Sequence, residues 1–141
     1  MPSGPESSAH LPQPGPTATR VALVDDDPQI LDALSTWLET LGMAPCRFDS
    51  AEALLDAVRA PHSTLAENLA GAILDINLQQ MHGLDLAHEL RGLFPKLPLV
   101  MISALQADEI AELGALPAKA ACLRKPFDLE ALEDALFGWI H

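Results

Sequence analysis

The sequence VALVDDDP, residues 21–28, is the most informative part of this chain. Its four apolar residues are small or branched, which is typical of a strand buried on both faces of a parallel sheet. The three carboxylates that follow must lie at the carboxyl edge of that sheet, where open α/β folds bind ligands. Two like charges about 4 Å apart repel by roughly 4 kcal/mol at an effective dielectric constant of about 20. The stretch therefore indicates a site that holds a cation or a proton.

Outward from this stretch, strand-like and helix-like patterns alternate. Pro28 suits the first turn of a helix, with Asp27 as its N-cap, and Asp49 and Glu52 have the spacing of a capping box at the next helix. A longer connection follows over residues 60–70. The predicted strands are 20–24, 43–48, 71–74, 97–102 and 120–123. The predicted helices are about 28–41, 84–93, 107–116 and 128–140, with a further helix between the second and third strands whose apolar stripe is Ala53, Leu54, Leu55 and Val58.

Five strand–helix repeats predict an α/β fold with a five-stranded parallel sheet and helices on both faces. The order 2-1-3-4-5 is the common solution for five strands. Strands one and three are then neighbours at the point where the strand order reverses. Their ends bring Asp25, Asp26 and Asp75 together.

Length and composition indicate one domain with a preceding tail. The chain has 141 residues, of which 49% are apolar, enough for one folded core. Residues 1–19 contain five prolines, two glycines and many small polar residues, so we expect a disordered Pro/Ser-rich tail there. The folded domain is expected over residues 20–141.

Charge and cysteine usage exclude several classes of function. A net charge of −12 argues against a nucleic-acid or anionic-membrane surface, because both need Lys/Arg patches. Cys46 and Cys122 show no zinc-binding spacing, which favours a reducing cytoplasm. Residues 1–10 lack the apolar core of a signal peptide, and no apolar run approaches the roughly 20 residues of a transmembrane helix.

The predicted strand ends supply three carboxylates, a hydroxyl and an ammonium to one pocket: Asp25, Asp26, Asp75, Ser103 and Lys125. Clustered hard oxygens suit Mg²⁺ or Mn²⁺, and a metal there can neutralise charge on a phosphoryl group. Asp75, alone at the end of a central strand, is well placed as a nucleophile. Its attack on phosphorus would give an acyl phosphate.

Four motifs, each at the end of a predicted strand, carry a family resemblance. They are VDDDP (24–28), LDIN (74–77) with MHG (81–83), ISA (102–104) and KPF (125–127). In this order they resemble the receiver domain of two-component response regulators, which has the flavodoxin-like fold. The resemblance covers all of the chain that we expect to be ordered.

The resemblance implies a role for each matching acid. Asp75 would be the phosphoacceptor and a metal ligand. Asp26 would bind the metal directly, and Asp25 directly or through water. The backbone carbonyl of Asn77 would be the third protein ligand.

The same resemblance assigns the last two motifs. Ser103 matches the switch hydroxyl, and Ala104 matches the small residue that admits phosphate. Lys125 matches the residue that contacts the phosphoryl group. Pro126 matches a proline that in this family usually follows a cis peptide bond.

Three positions depart from the family pattern. Gln79 stands where the family often has proline, so we expect a less rigid loop after Asp75. Cys122 replaces a Tyr or Phe whose ring swings inward with the switch hydroxyl, which puts the aromatic form of activation in doubt. Leu105 stands where side chains tend to control the access of water to the phosphate, and an apolar residue there suggests slow or moderate self-dephosphorylation.

The implied function is a signalling receiver rather than a turnover enzyme. It would accept a phosphoryl group from a histidine kinase or phosphotransfer protein and then contact a downstream protein, as a monomer or a phosphorylation-dependent dimer. The predicted last helix leaves no room for an output domain within this chain. We therefore expect output by protein contact or by phosphate relay if the chain is complete, and a further part downstream if it is a fragment. We expect no nucleic-acid or membrane partner.

Three other functions compete with the receiver. A haloacid-dehalogenase-type phosphatase would use Asp25 as nucleophile within a D-x-D pair, although Gln29 replaces the usual Thr or Val. A degenerate receiver would act only as an interaction module. A flavodoxin-like flavin binder is disfavoured, because the first loop is anionic and lacks glycine.

Overall fold

The computed structural model describes residues 19–76 and 83–137, and within them five parallel strands form one sheet in the order β2-β1-β3-β4-β5. The strands are β1 (Arg20–Val24), β2 (Ala44–Phe48), β3 (Leu69–Asp75), β4 (Leu99–Ser103) and β5 (Ala120–Arg124). The helices are α1 (Pro28–Thr40), α2 (Ala51–Arg59), α3 (Thr64–Asn68), α4 (Gly83–Leu93), α5 (Ala107–Leu113) and α6 (Leu129–Phe137). The predicted fold class and strand order are confirmed.

The helices cover both faces of the sheet because alternate strand residues point to opposite sides. On one face Leu23, Ile73 and Val100 pack with α1 and α6, whose Trp37 and Phe137 rings lie 6.4 Å apart. On the other face the alternate strand residues pack against α2, α3 and α4, with α5 at the margin. The three central strands are thus buried on both sides.

Local capping accounts for where two helices begin. The Asp27 carboxylate accepts a hydrogen bond from the backbone N–H of Gln29 at 2.9 Å, so the predicted cap of α1 is confirmed. The predicted capping box of α2 is wrong. The cap is Ser50, whose hydroxyl accepts from the backbone N–H of Ala53 at 3.2 Å.

Several boundaries differ from the expected ones. β3 is longer than predicted at both ends, and α3 occupies part of the 60–70 connection. α5 ends at Leu113 rather than at the predicted residue 116, and Gly114 follows it with φ +131°. The predicted tail (apart from Thr19), Asn77, Gln79 and the end of the last predicted helix lie outside the described residues. None of the described helices has the length and apolar character needed to span a bilayer.

Candidate functional site

Three carboxylates meet at the carboxyl edge of the sheet, as the sequence predicted. β1 and β3 are neighbours, and Val24 lies opposite Leu74. Because the strands are parallel and in this register, Asp25 and Asp75 emerge side by side. Oxygens of Asp25, Asp26 and Asp75 all lie within 4.8 Å of one another. We call these three residues the acid cluster.

Burial divides the acid cluster into two parts. The residues Asp25 and Asp75 are only 1% and 5% exposed, whereas Asp26 faces solvent. Two carboxylates therefore stand at the end of the core and one stands at its mouth. Such a set of hard oxygens, open on one side, fits a small divalent cation that keeps part of its water shell.

Lys125 supplies the cation that faces the acid cluster. Its Nζ lies 3.4 Å from Oδ2 of Asp75 and 3.5 Å from Oδ2 of Asp25. A backbone hydrogen bond holds Lys125 in position, because its N–H donates to the carbonyl of Ser103, at the end of β4, at 2.6 Å. The Lys125–Pro126 peptide bond is cis, as the resemblance implied.

The site carries more negative than positive charge, and the pKa of Asp25 reflects this imbalance. Burial raises the pKa of Asp25 above its ordinary value of 3.8, and the neighbouring charge of Asp75 raises it further. A hydrogen bond from the backbone N–H of Asp27, at 2.9 Å, and the ammonium of Lys125 oppose this rise without cancelling it. Without a bound cation the folded site therefore disfavours full ionisation, so the donor set fits the metal that the sequence suggested.

Ser103 closes the neighbouring side of the site. It is the last residue of β4, next to β3 in the sheet, and it is only 1% exposed. Its hydroxyl oxygen accepts a hydrogen bond from the backbone N–H of Leu105 at 2.8 Å. Ala104 between them is exposed. The hydroxyl proton is not used in that bond and remains able to donate to an anion.

Gly83 brings the start of α4 against the end of β3. Its backbone N–H donates to the carbonyl of Ile76 at 2.9 Å. A Cβ at this position would collide with the carbonyl oxygen of Asp75 and lie 2.7 Å from Cα of Ile76. Only glycine permits this approach. The sequence offered a signal in the MHG motif, but no role was predicted for this residue.

Cys122 lines a groove, and its small side chain leaves open the space that an aromatic ring at this position would fill. The groove, of about 790 Å³, runs between α5 and β5, and Leu105, Ile110, Leu116, Cys122 and Arg124 contribute to its walls. Burial raises the pKa of the Cys122 thiol above its ordinary value of 9.0, so the thiol is mostly protonated at neutral pH. The departure seen in the sequence thus leaves open space beside β5.

Sequence reasoning missed the polar contacts behind this groove. His88 and Arg91 on α4 hydrogen-bond to carbonyls of the segment that joins α5 to β5. No motif announces such contacts, because any residue can supply a backbone carbonyl. Among the predicted site residues, only Asn77 cannot be placed, since it lies outside the described residues.

Comparison with known proteins agrees with this geometry. The sequence profile of the response regulator receiver domain matches residues 21–137. Response regulator protein TodT of Pseudomonas putida F1 is 31% identical over 121 residues, which are 84% of this chain and 50% of TodT. Response regulator protein FleR of Pseudomonas aeruginosa is 33% identical over 117 residues, 83% of this chain and 24% of FleR. The chain thus spans half or less of these relatives.

Solved structures give the same result. A response regulator receiver protein from Sinorhizobium medicae superposes with a TM-score of 0.72 and 25% identity, covering 86% of this chain and 93% of that one. A CheY-like receiver domain from Methanospirillum hungatei gives a TM-score of 0.65 and 25% identity, covering 83% and 89%. The chain belongs to the receiver domain family of two-component response regulators.

Proposed function

We propose that this receiver domain accepts a phosphoryl group on the carboxylate of Asp75 in a reaction that requires Mg²⁺ or Mn²⁺. The observation that carries the proposal is the pairing of the acid cluster with one ammonium. Lys125 Nζ lies 3.4 Å from Asp75, and the cluster oxygens lie within 4.8 Å of one another. A divalent cation and an ammonium on either side of one carboxylate suit phosphoryl transfer, which depends on positioning and charge neutralisation.

In the proposed step an oxygen of Asp75 attacks phosphorus and forms a P–O bond. The bond from phosphorus to the donor imidazole nitrogen breaks, its electron pair stays on that nitrogen, and the product is an acyl phosphate. Lys125 would hold one phosphoryl oxygen, and the Ser103 hydroxyl would donate to another. Asp25, Asp26, Asp75 and the Asn77 carbonyl would hold the metal, which supplies charge neutralisation at the phosphoryl oxygens.

The donor in this proposal is a histidine kinase or a phosphotransfer protein, and the output is contact with a downstream protein. The apolar groove between α5 and β5 supports an output by protein contact, since it provides room for an apolar anchor beside Cys122. The overall charge of −12 supports a protein target for this domain rather than nucleic acid or membrane. The free thiols of Cys46 and Cys122 suit a reducing cytoplasm. In this proposal the domain acts either as a monomer or as a dimer that forms on phosphorylation.

The deciding experiment uses acetyl phosphate as a small donor with Mg²⁺. We expect the intact protein to gain the mass of one phosphoryl group, and peptide mapping to place it on Asp75. Asp75→Asn should show no gain, and chelation of Mg²⁺ should prevent it in the wild type. Asp56→Asn, which changes an exposed acid of α2, is the matched control and should react normally. An unmodified wild-type protein would favour the degenerate receiver.

The phosphatase alternative requires Asp25, rather than Asp75, to be the nucleophile. That residue is buried, and its oxygens already contact the Asp27 N–H and Lys125. Asp27, the second acid of the D-x-D pair, caps α1 instead. We therefore expect no release of phosphate from p-nitrophenyl phosphate. Turnover that depends on Asp25 and survives Asp75→Asn would support the phosphatase.

A further inference from the structure

Two side chains of α4 hold the segment that joins α5 to β5. We call residues 114–119 the connection. Nε2 of His88 lies 2.8 Å from the carbonyl oxygen of Ala115. Nε of Arg91 donates to the carbonyl of Ala118 at 2.7 Å, and Nη2 donates to that of Lys119 at 3.3 Å. Both ends of the connection are thus tied to one helix.

The Arg91 guanidinium also anchors itself to its own helix. Its Nη1 donates to the carbonyl of Phe94, just after α4, at 2.8 Å. One planar fork therefore joins three backbone carbonyls, a geometry that a lysine ammonium does not reproduce. Partial burial lowers the pKa of Arg91 from its ordinary value, whereas its hydrogen bonds to the connection are exposed to solvent.

The connection contains no helix or strand, and its middle packs against the core through Leu116 and the buried Pro117. Gly114 has φ +131° and Lys119 has φ +60°. The left-handed conformation is unfavourable for a residue other than glycine, so a hydrogen-bond partner helps to hold the backbone at Lys119. Arg91 provides that partner at the Lys119 carbonyl.

The position of the connection sets the width of the groove. Gly114, Ala115 and Leu116 form one part of its wall, and Leu105 and Cys122 form another. Because these residues are part of the wall, a displacement of the connection away from α4 would change the width of the groove and the access to Cys122. The side chains that oppose such a displacement belong to α4 and lie outside the groove wall.

We propose that His88 and Arg91 form a latch that holds the connection against α4 and so limits access to the groove between α5 and β5. His88 and Arg91 are positioning residues, because they act on the groove through the backbone of the connection. The latch does not depend on phosphorylation of Asp75. It would decide how readily an apolar partner side chain reaches the floor of the groove.

The two cysteines make the latch measurable in the full chain. Cys122 lies in the groove, whereas Cys46 lies on β2 at the opposite edge of the sheet. Alkylation by N-ethylmaleimide, without any phosphoryl donor, is followed at each thiol by peptide mass spectrometry. We expect Arg91→Ala to react roughly tenfold faster at Cys122 and at an unchanged rate at Cys46.

Three further variants separate the latch from general destabilisation. His88→Leu should speed alkylation of Cys122 about threefold, whereas His88→Gln, which keeps a donor, should restore the wild-type rate. Arg59→Ala removes another arginine that contacts α4, through Glu89 at 2.6 Å, and should change neither thiol. Unchanged rates at Cys122 in the Arg91 and His88→Leu variants would overturn the latch. Equal acceleration at both thiols would also overturn it, since opening would then be global, and the His88 pair decides the matter if Arg91→Ala does not fold.

Discussion

The Nζ atom of Lys125 lies 3.4 Å from Oδ2 of Asp75, although 50 residues separate them in the sequence. The same ammonium lies 3.5 Å from Asp25. One positive charge is therefore shared between two buried carboxylates, and a third carboxylate stands at the mouth of the site. The remaining negative charge makes the site receptive to a further cation.

Removing the shared ammonium should slow phosphorylation without preventing it. In Lys125→Met we expect modification of Asp75 by acetyl phosphate to slow by roughly 10- to 100-fold, because a lost charge contact in the transition state costs on the order of 1.4–3 kcal/mol. The measurement is the rate of mass gain at saturating Mg²⁺. Lys96→Met, at an exposed lysine between α4 and β4, should keep the wild-type rate. A Lys125→Met protein as fast as wild type would contradict the role given to this residue.

Stability should depend on pH through Asp25. Its pKa in the folded protein lies above 3.8, so the folded state holds this proton more tightly than the unfolded state. The contribution to stability is therefore complete below the unfolded pKa and is lost as pH rises through the folded pKa. In metal-free protein, Asp25→Asn should remove this loss and raise the Tm at pH 7.

With Mg²⁺ present, we expect the wild type to have a higher Tm at pH 7 than Asp25→Asn. We expect Mg²⁺ to raise the Tm of the wild type at pH 7, and this rise should fade as pH falls through the raised pKa of Asp25, because a protonated carboxyl is a poor ligand. Thermal denaturation with and without Mg²⁺ measures both effects. Asp56→Asn should behave as wild type throughout, and a Mg²⁺ response in Asp25→Asn equal to that of wild type would count against Asp25 as a ligand.

A methyl group at Gly83 should destabilise the fold. Gly83→Ala would force apart the start of α4 and the end of β3, since its Cβ collides with backbone atoms of Asp75 and Ile76. We expect a loss of about 1–3 kcal/mol in the free energy of unfolding, measured by urea denaturation. Gly92→Ala, in the same helix with no atom within 4 Å of its Cβ, should be neutral or stabilising by up to ~1 kcal/mol. Equal stability of the two variants would show that this approach can relax.

A carboxylate at position 105 should shorten the lifetime of phosphorylated Asp75. Leu105 is partly buried and packs against the core beside Ser103. In Leu105→Glu we expect hydrolysis at least about threefold faster, below the ~100-fold of a well-positioned general base. The half-life of the acyl phosphate measures this. Leu93→Glu makes the same change at the exposed end of α4 and should leave the half-life unaltered, whereas an unchanged half-life in Leu105→Glu would defeat the hypothesis.

Much of the fold was predictable because it depends on local patterns. The apolar run before Asp25 and the similar apolar runs further along the chain predicted the five strands. The alternation of these strands with helices predicted the strand order that the structure has. Local patterns were less decisive at helix ends. Ser50 rather than Asp49 caps α2, since neighbouring polar residues compete for the same N–H groups and only the backbone conformation selects one.

The side chains that stand at the strand ends could be identified from sequence patterns alone, because parallel strands all present their carboxyl ends at one edge of the sheet. The way in which these side chains share their charges depends on tertiary packing, as in the contact of Lys125 with both Asp25 and Asp75. The same packing brings Arg91 against carbonyls of the connection. Periodic burial can be predicted from the pattern of apolar residues along each element. Distances between polar atoms that are remote in the sequence depend instead on how whole elements pack together.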